Sequence, residues 1–266
     1  GDIMEHTAKC RAARSSLIRA EDLQIDDRLL GVGSFGPVRL GFFRGRPAAV
    51  KATGGEFPGF SDKALQIFTA EVTMAREITA HRFTEEAAHR IVALLGVTAN
   101  PLRLVTEYAP HGDLAKLLRS TRTLSDSQKL LAASDIAEGM RFLHSNGLLH
   151  MDLKPANVLI SDRKGRCAVC DFGLPTVKSP LTNRGLYCSL PYNAPEILMT
   201  KLPMHSKASD VYSFAITLWE MITRQIPHAD MDAFAIRRNV KAGLRPALPD
   251  AENSSESVAG EAGALL

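Results

Sequence analysis

The sequence predicts an α+β chain of two lobes, a strand-rich first part and a helix-rich second part joined near Ala109–Gly112 with a cleft between them. Three observations carry this expectation. Up to Tyr108 the apolar residues fall in short extended runs bounded by glycine and proline. Beyond Tyr108 they recur with a helical period. Of 266 residues, 45% are hydrophobic and 23% charged, ordinary values for a globular chain long enough to bury a sizeable core.

Residues 1–20 form an N-terminal extension, basic and alanine-rich over 7–20, without the apolar stretch of a secretory signal. Leu29–Val38 and Val38–Lys51 are two extended runs, broken by glycines and by Pro47 as in a hairpin sheet. Ser61 is suited to cap a helix whose Leu65, Phe68, Val72 and Ala75 share one face. Ile91–Gly96 and Leu102–Tyr108 predict two more strands, closing a first lobe over 21–108. In the second lobe, 109–250, Ser125 and Gln128 make a capping box that opens a helix with Ile136, Met140 and Leu143 as its buried stripe. Gly147 is placed to stop it. Val211–Ile222 is apolar nearly all round, which predicts a helix running through a core. Residues 251–266 are mostly Ser, Glu, Gly and Ala and are expected to be disordered.

A net charge of +3 gives no basis for a nucleic-acid groove or an anionic membrane surface. No apolar run approaches the roughly 20 residues that a membrane-spanning helix needs. The four cysteines, Cys10, Cys167, Cys170 and Cys188, are too few for a disulfide framework and fit a reducing, cytoplasmic setting. Cys167 and Cys170 have C-x-x-C spacing, but no second pair completes a zinc site, so both are expected to be small buried hydrophobes on a strand. Cys170 is also placed to react with an electrophile.

Gly31-Val32-Gly33-Ser34-Phe35-Gly36 matches G-x-G-x-x-G, whose glycines let backbone amides approach a phosphate. A dinucleotide-binding turn would need the third glycine to open a helix. Pro37 and Val38 lead instead into another strand, so the loop is expected to be a flap over phosphates within a hairpin. Lys51 ends the next apolar run; it either snorkels to the surface or, held by a carboxylate, reaches phosphate oxygens. Glu71 is the candidate carboxylate and Glu77 the competitor. Further on stand His150-Met151-Asp152-Leu153-Lys154-Pro155-Ala156-Asn157, then Asp171-Phe172-Gly173, then Ala194-Pro195-Glu196. Singly, such Asp and Asn residues are turn formers.

Together and in this order, over about Leu23–Pro249, the motifs resemble those of the eukaryotic protein-kinase family. The resemblance implies a bilobal fold: a small antiparallel β-sheet N-lobe with one main helix, and a larger, mainly helical C-lobe. It implies ATP and Mg2+ as cofactors and a protein with a serine or threonine acceptor as partner. Gly31, Val32, Gly33, Ser34 and Gly36 would cover the phosphates, with Val38, Ala49 and Leu159 also in the ATP site and Val38 against the adenine. Lys51 would hold the phosphates and pair with Glu71. Asp152 would accept the proton of the attacking hydroxyl, Lys154 would neutralise charge on the moving phosphoryl group, and Asn157 with Asp171 would carry magnesium. Thr106-Glu107-Tyr108-Ala109 resembles the hinge, Asp113 the ribose contact, and Asp210 the buried aspartate that braces the catalytic loop.

In the family, a lysine two residues after the catalytic aspartate accompanies serine/threonine specificity, and Lys154 stands there. Ser189-Leu190-Pro191-Tyr192 resembles the matching substrate wall, and the stretches around Val105–Tyr108, Asp210–Glu220 and Gly243–Pro249 resemble the tyrosine-kinase-like branch. Two departures carry expectations. Met151 replaces the arginine that would read an activation-loop phosphate, implying a kinase not switched in that way. The family's last two helices, and the arginine that pairs with the position of Glu196, are not found before Leu266, so Glu196 is expected to open to water rather than be taken by Arg245. An active serine/threonine kinase is the first expectation. A kinase-fold binding or scaffold module is the alternative, raised by the missing helices. A small-molecule kinase is disfavoured by the peptide shelf before Ala194-Pro195-Glu196.

Overall fold

The computed structural model describes residues 17–33, 36–52, 72, 75–82, 84–99, 101–162, 164–171, 189–199 and 204–248. Ser34, Ser61, Leu65, Phe68, Glu71, Phe172, Gly173, Cys10, Cys188 and the stretch 251–266 lie outside the described residues, and so do the expectations placed on them.

Five strands make one antiparallel sheet in the order β1-β2-β3-β5-β4. They are β1 (Leu23–Gly33), β2 (Gly36–Phe43), β3 (Arg46–Ala52), β4 (Leu94–Ala99) and β5 (Leu102–Glu107). The run expected over Val38–Lys51 is thus two strands. They turn at Arg44 and Gly45, whose φ angles of 50° and 75° suit the twist of a two-residue hairpin. Gly45 signals that turn in the sequence, while Arg44 in a left-handed conformation does not. The strand expected over Ile91–Gly96 begins only at Leu94, because Ile91 is drawn off to bridge Val169 in the other lobe. At the far edge of the sheet, Leu17 pairs in parallel with Val97 and the Ile18 amide donates to the Val97 carbonyl at 2.7 Å.

The second lobe is built from α1 (Leu114–Arg119), α2 (Asp126–Ser145), the two-stranded sheet of β6 (Val158–Ile160) and β7 (Cys167–Val169), then α3 (Pro195–Met199), α4 (Lys207–Thr223) and α5 (Ala233–Lys241). The Ser125–Gln128 capping box forms in both directions, and Gly147 ends the α2 region at φ 73°. Ile136, Met140, Phe142 and Leu143 of α2 anchor the main core with Leu114, Leu153, Val158 and Val169, and Ile91 reaches into it from the loop before β4. Gly139 permits that junction: a Cβ there would stand 2.9 Å from the Arg90 carbonyl oxygen.

One expectation is corrected here. Helix α4 does not run through a core: Val211 and Ile222 are 59% and 52% exposed, and its buried face carries Asp210, Ser213, Thr217 and Glu220 with Ile216 and Met221. Glu196 is exposed and makes no ion pair among the described residues. Arg245 instead donates to the Val240 and Leu244 carbonyls and lies over the Tyr212 ring at 5.3 Å. Among the described residues no helix is long and apolar enough to cross a membrane.

Candidate active site

The cleft between the lobes is lined from above by β1–β3 and from below by the loop between α2 and β6. Lys51 pairs with Leu104 at the centre of the sheet, so its side chain leaves a rigid element; the residue is 8% exposed. Its Nζ lies 2.8 Å from Asp171 Oδ1, across the cleft. Glu77, the competing carboxylate, is exposed on the helical residues 75–81 and has no ion pair among the described residues. Burial is the largest influence and works against ionisation of Asp171, but the charge and hydrogen bond of Lys51, with Lys154 and His150 adding to them, hold the carboxyl below its usual range.

Below the cleft, Lys154 Nζ donates to Asp152 Oδ2 at 2.7 Å and to Ser189 Oγ at 2.8 Å. Asn157 Nδ2 donates to the Asp152 carbonyl at 2.7 Å and to its Oδ2 at 3.2 Å. One aspartate, one lysine and one asparagine of a single loop therefore converge, and the Cys170 amide ties that loop to the approach of Asp171 by donating to the Asn157 carbonyl at 3.0 Å. The backbone is strained at both ends of this arrangement, with φ of 67° at Met151 and 56° at Asp171. Non-glycine residues in this region typically cost about 1–3 kcal/mol each and persist only when the surroundings hold them. At Met151 the surroundings are Asp210. Buried on α4, it accepts from the His150 and Met151 amides at 2.8 and 2.9 Å and lies 2.9 Å from His144 Nε2.

The strip joining the lobes is braced. Ala49 pairs with Thr106 and Ala48 with Glu107, so β3 and the end of β5 form a continuous back wall. Arg82 donates to Glu107 Oε1 and to the Ile91 carbonyl, and Glu107 Oε2 accepts from the Ala93 amide at 3.3 Å. Leu159 bridges Asp113 beneath. A cavity of about 310 Å³ opens among Arg46, Arg82, His89, Val92 and Leu159; Val38, Lys51, Asp152 and Asp171 do not line it. Asp113 caps α1 through the Lys116 amide at 2.8 Å, so the carboxylate expected at a ribose is also a structural acceptor. Gly31, Val32, Gly33 and Gly36 lie at the β1–β2 tip, where Gly33 pairs with Gly36, and Val38 pairs with Lys51. Of the site residues the sequence named, Lys51 meets Asp171, and Asp152, Lys154 and Asn157 converge, while Glu107, Ala109 and Leu159 line the separate cavity; Ser34 and Glu71 lie outside the described residues.

Cys170, expected to be open to an electrophile, is half-buried beside Asp171, and burial, reinforced by the Asp171 charge, pushes its thiol well above the ordinary value, which disfavours the reactive thiolate. Cys167 is buried in β7, pushed up to about 12 by the same desolvation. No cluster of metal-binding side chains forms around them among the described residues.

Sequence reasoning missed the buried acid behind Tyr192. Tyr192 donates its hydroxyl to Glu220, buried on α4, with Arg119 Nη2 at 3.7 Å from the other carboxylate oxygen. The only signal is Glu220 itself, a lone acid in an apolar stretch. Burial raises its carboxyl pKa, against the opposing pull of the Tyr192 hydroxyl and Arg119. A carboxyl raised by folding favours the folded state most at low pH, and that contribution is lost as pH rises from about 4.5 through the raised value. Glu220→Gln keeps an acceptor for Tyr192 and removes the buried charge. It is expected to melt no lower than the wild type at neutral pH and to flatten the fall in stability above pH 4.5, as thermal melts across a pH series will read.

Residues 24–259 match the family model of protein tyrosine and serine/threonine kinases. The chain is 34% identical over 231 residues to the serine/threonine-protein kinase VIK of Arabidopsis thaliana, covering 82% of this chain and 50% of that protein. It is 33% identical over 220 residues to the serine/threonine-protein kinase CTR1 of the same plant, covering 79% and 25%. It is 33% identical over 232 residues to the dual specificity protein kinase shkB of Dictyostelium discoideum, covering 83% and 34%. The chain therefore spans half or less of the length of these relatives. With a family match of that extent and relatives of that likeness, this chain belongs to the protein tyrosine and serine/threonine kinase family, and VIK and CTR1 are consistent with its tyrosine-kinase-like branch.

Proposed function

We propose that the chain is an ATP-dependent serine/threonine protein kinase that moves the γ-phosphoryl group of Mg·ATP to a serine or threonine hydroxyl of a protein. The observation that carries this is the gathering of Asp152, Lys154 and Asn157 beneath the Lys51–Asp171 pair. A hydroxyl oxygen entering at Asp152 forms the new bond to phosphorus, gives its proton to the Asp152 carboxylate, and the bond from phosphorus to the ADP oxygen breaks. Lys154, already beside Asp152, sits where negative charge on the moving group develops, and Lys51 offers a positive charge to the phosphates. Fixed cations in place before reaction need no reorganisation, which makes such electrostatic stabilisation effective.

The donor set fits magnesium. Asp171 offers a carboxylate held ionised by Lys51, and Asn157 uses its amide nitrogen on Asp152, which leaves the amide oxygen for a hard cation. Magnesium bound there would neutralise phosphate charge. Two protein oxygens suit an ion that keeps water and substrate phosphate in its remaining positions. A scaffold role is not favoured, since the positions of base, cations and metal donors are all filled by residues able to do the chemistry.

The test is a thermal melt with ATP, with and without magnesium, followed by phosphate transfer to a generic protein substrate. Stabilisation that requires magnesium and label on serine and threonine are expected. Nucleotide binding without transfer to any protein would favour the scaffold reading.

A further inference from the structure

Lys116 is the residue of the cleft that neither the motifs nor the family match accounts for. It sits on the first turn of α1, in the helical lobe, and its side chain is 61% exposed. Its ammonium is nevertheless engaged twice. Nζ donates to the Leu30 carbonyl at 2.6 Å and lies 3.0 Å from Asp113 Oδ2. Leu30 belongs to β1 and immediately precedes the glycine-rich turn; a Cβ built on Gly31 would lie 3.5 Å from the same Nζ. Among the described residues this is the polar contact by which β1 touches the helical lobe. Other ties between the lobes among the described residues run away from β1: Val92 to Val169, Arg90 to Asp135 and Glu138, His81 to Phe142, and Lys51 to Asp171.

We propose that Lys116 is a clasp across the mouth of the nucleotide cleft, a positioning residue that retains bound nucleotide by fastening β1 to the Asp113 carboxylate. This rests on the reading of the cleft as a nucleotide site. A carbonyl and a carboxylate from opposite lobes face one ammonium, so the lobes cannot part at the front without undoing a charge-assisted bond. The ammonium also offsets the Asp113 charge, which otherwise faces an incoming polyanion uncompensated. Asp113 Oδ1 is already taken by the Lys116 amide, which fixes the rotamer that presents Oδ2 to Nζ. An exposed lysine is ordinarily worth little to stability. Its placement at an entrance gives it a kinetic consequence instead: nucleotide escape requires the clasp to open.

Stopped-flow dissociation of Mg·ADP from the whole chain tests this, because it needs no phosphoryl transfer. Lys116→Met is expected to release Mg·ADP roughly five- to tenfold faster than wild type, the range for one partly exposed charge-assisted bond. Lys116→Arg, which keeps a cation able to span both acceptors, is expected to restore most of the loss. Hydrogen exchange of the nucleotide-free Lys116→Met protein should rise over β1 and stay unchanged over α2, a pattern a general loss of fold does not give. Equal release from wild type and Lys116→Met, or no recovery with arginine, overturns the clasp. If wild type fails to bind Mg·ADP at all, the nucleotide reading itself is overturned and the clasp with it.

Discussion

Lys51→Met will abolish phosphoryl transfer and leave the protein folded. The methionine side chain fills a similar path through the sheet, where position 51 is 8% exposed, so the packing between β3 and β5 survives. The cation does not. Asp171 then loses the charge that holds its carboxyl low, at a place where burial already opposes ionisation, so magnesium binding weakens along with phosphate binding. Asp152→Asn is the informative contrast. It leaves the Lys51–Asp171 pair intact, so nucleotide should still bind, but the side chain can no longer take a proton. The expected loss is on the order of 10²–10⁴ in rate, the usual contribution of a positioned base. Single-turnover transfer and nucleotide titration on the two variants separate these effects. An Asp152→Asn protein as fast as wild type would show that another group takes the proton.

Asp210→Ala will cost both fold and activity. The substitution leaves the buried His150 amide and the half-buried Met151 amide without an acceptor and removes the partner of His144. Breaking a buried charged network by deleting one member typically costs about 3–5 kcal/mol, against about 5–15 kcal/mol for a whole domain. At this chain length that corresponds to a fall in melting temperature on the order of 10 °C. Met151, at φ 67°, is then free to relax toward an ordinary conformation, and it would carry Asp152 away from Lys154. Asp210→Asn is expected to be milder in stability but still slow, because only one of its two terminal atoms can accept. Melting curves paired with transfer rates test this. An Asp210→Ala protein of wild-type stability would mean that the loop holds its own shape.

What the sequence made legible was local, or came through motif order. The α2 capping box is written in four adjacent residues, and the structure forms it as read. Lys51, the Asp152–Asn157 loop and Asp171 stand apart in the chain; spacing alone left each of them open to a plain structural reading, and their order supplied the rest. Contacts between residues with no motif stayed hidden. Nothing near Arg82 points to Glu107, and nothing near Lys116 points to Leu30. Helix α4 was misjudged for a different reason. Hydrophobicity round the whole helix suggested burial on all sides, yet Val211 and Ile222 face out while Asp210, Ser213, Thr217 and Glu220 go inside beside Ile216 and Met221. Ser213 donates to the Tyr192 carbonyl at 2.8 Å and Thr217 to the Ser213 carbonyl at 2.8 Å, so their hydroxyls enter the interior already satisfied. A count of apolar residues does not register partners of that kind. The left-handed Met151 and Asp171 were likewise invisible, since neither residue type favours that conformation strongly enough to announce it.

The pairing of Leu17 and Ile18 with Val97 bears on where this domain begins as a practical unit. β4 is the last strand of its sheet, and its outer row of backbone groups would otherwise be free to recruit a strand from another molecule. Two residues that carry none of the kinase motifs shield part of that row. A fragment trimmed to the motifs, starting at residue 21 or later, would keep every residue of the cleft and lose this guard. The sticky side of the molecule would then lie on the face away from the chemistry, where a loss of monodispersity is easily mistaken for a defect of the active site.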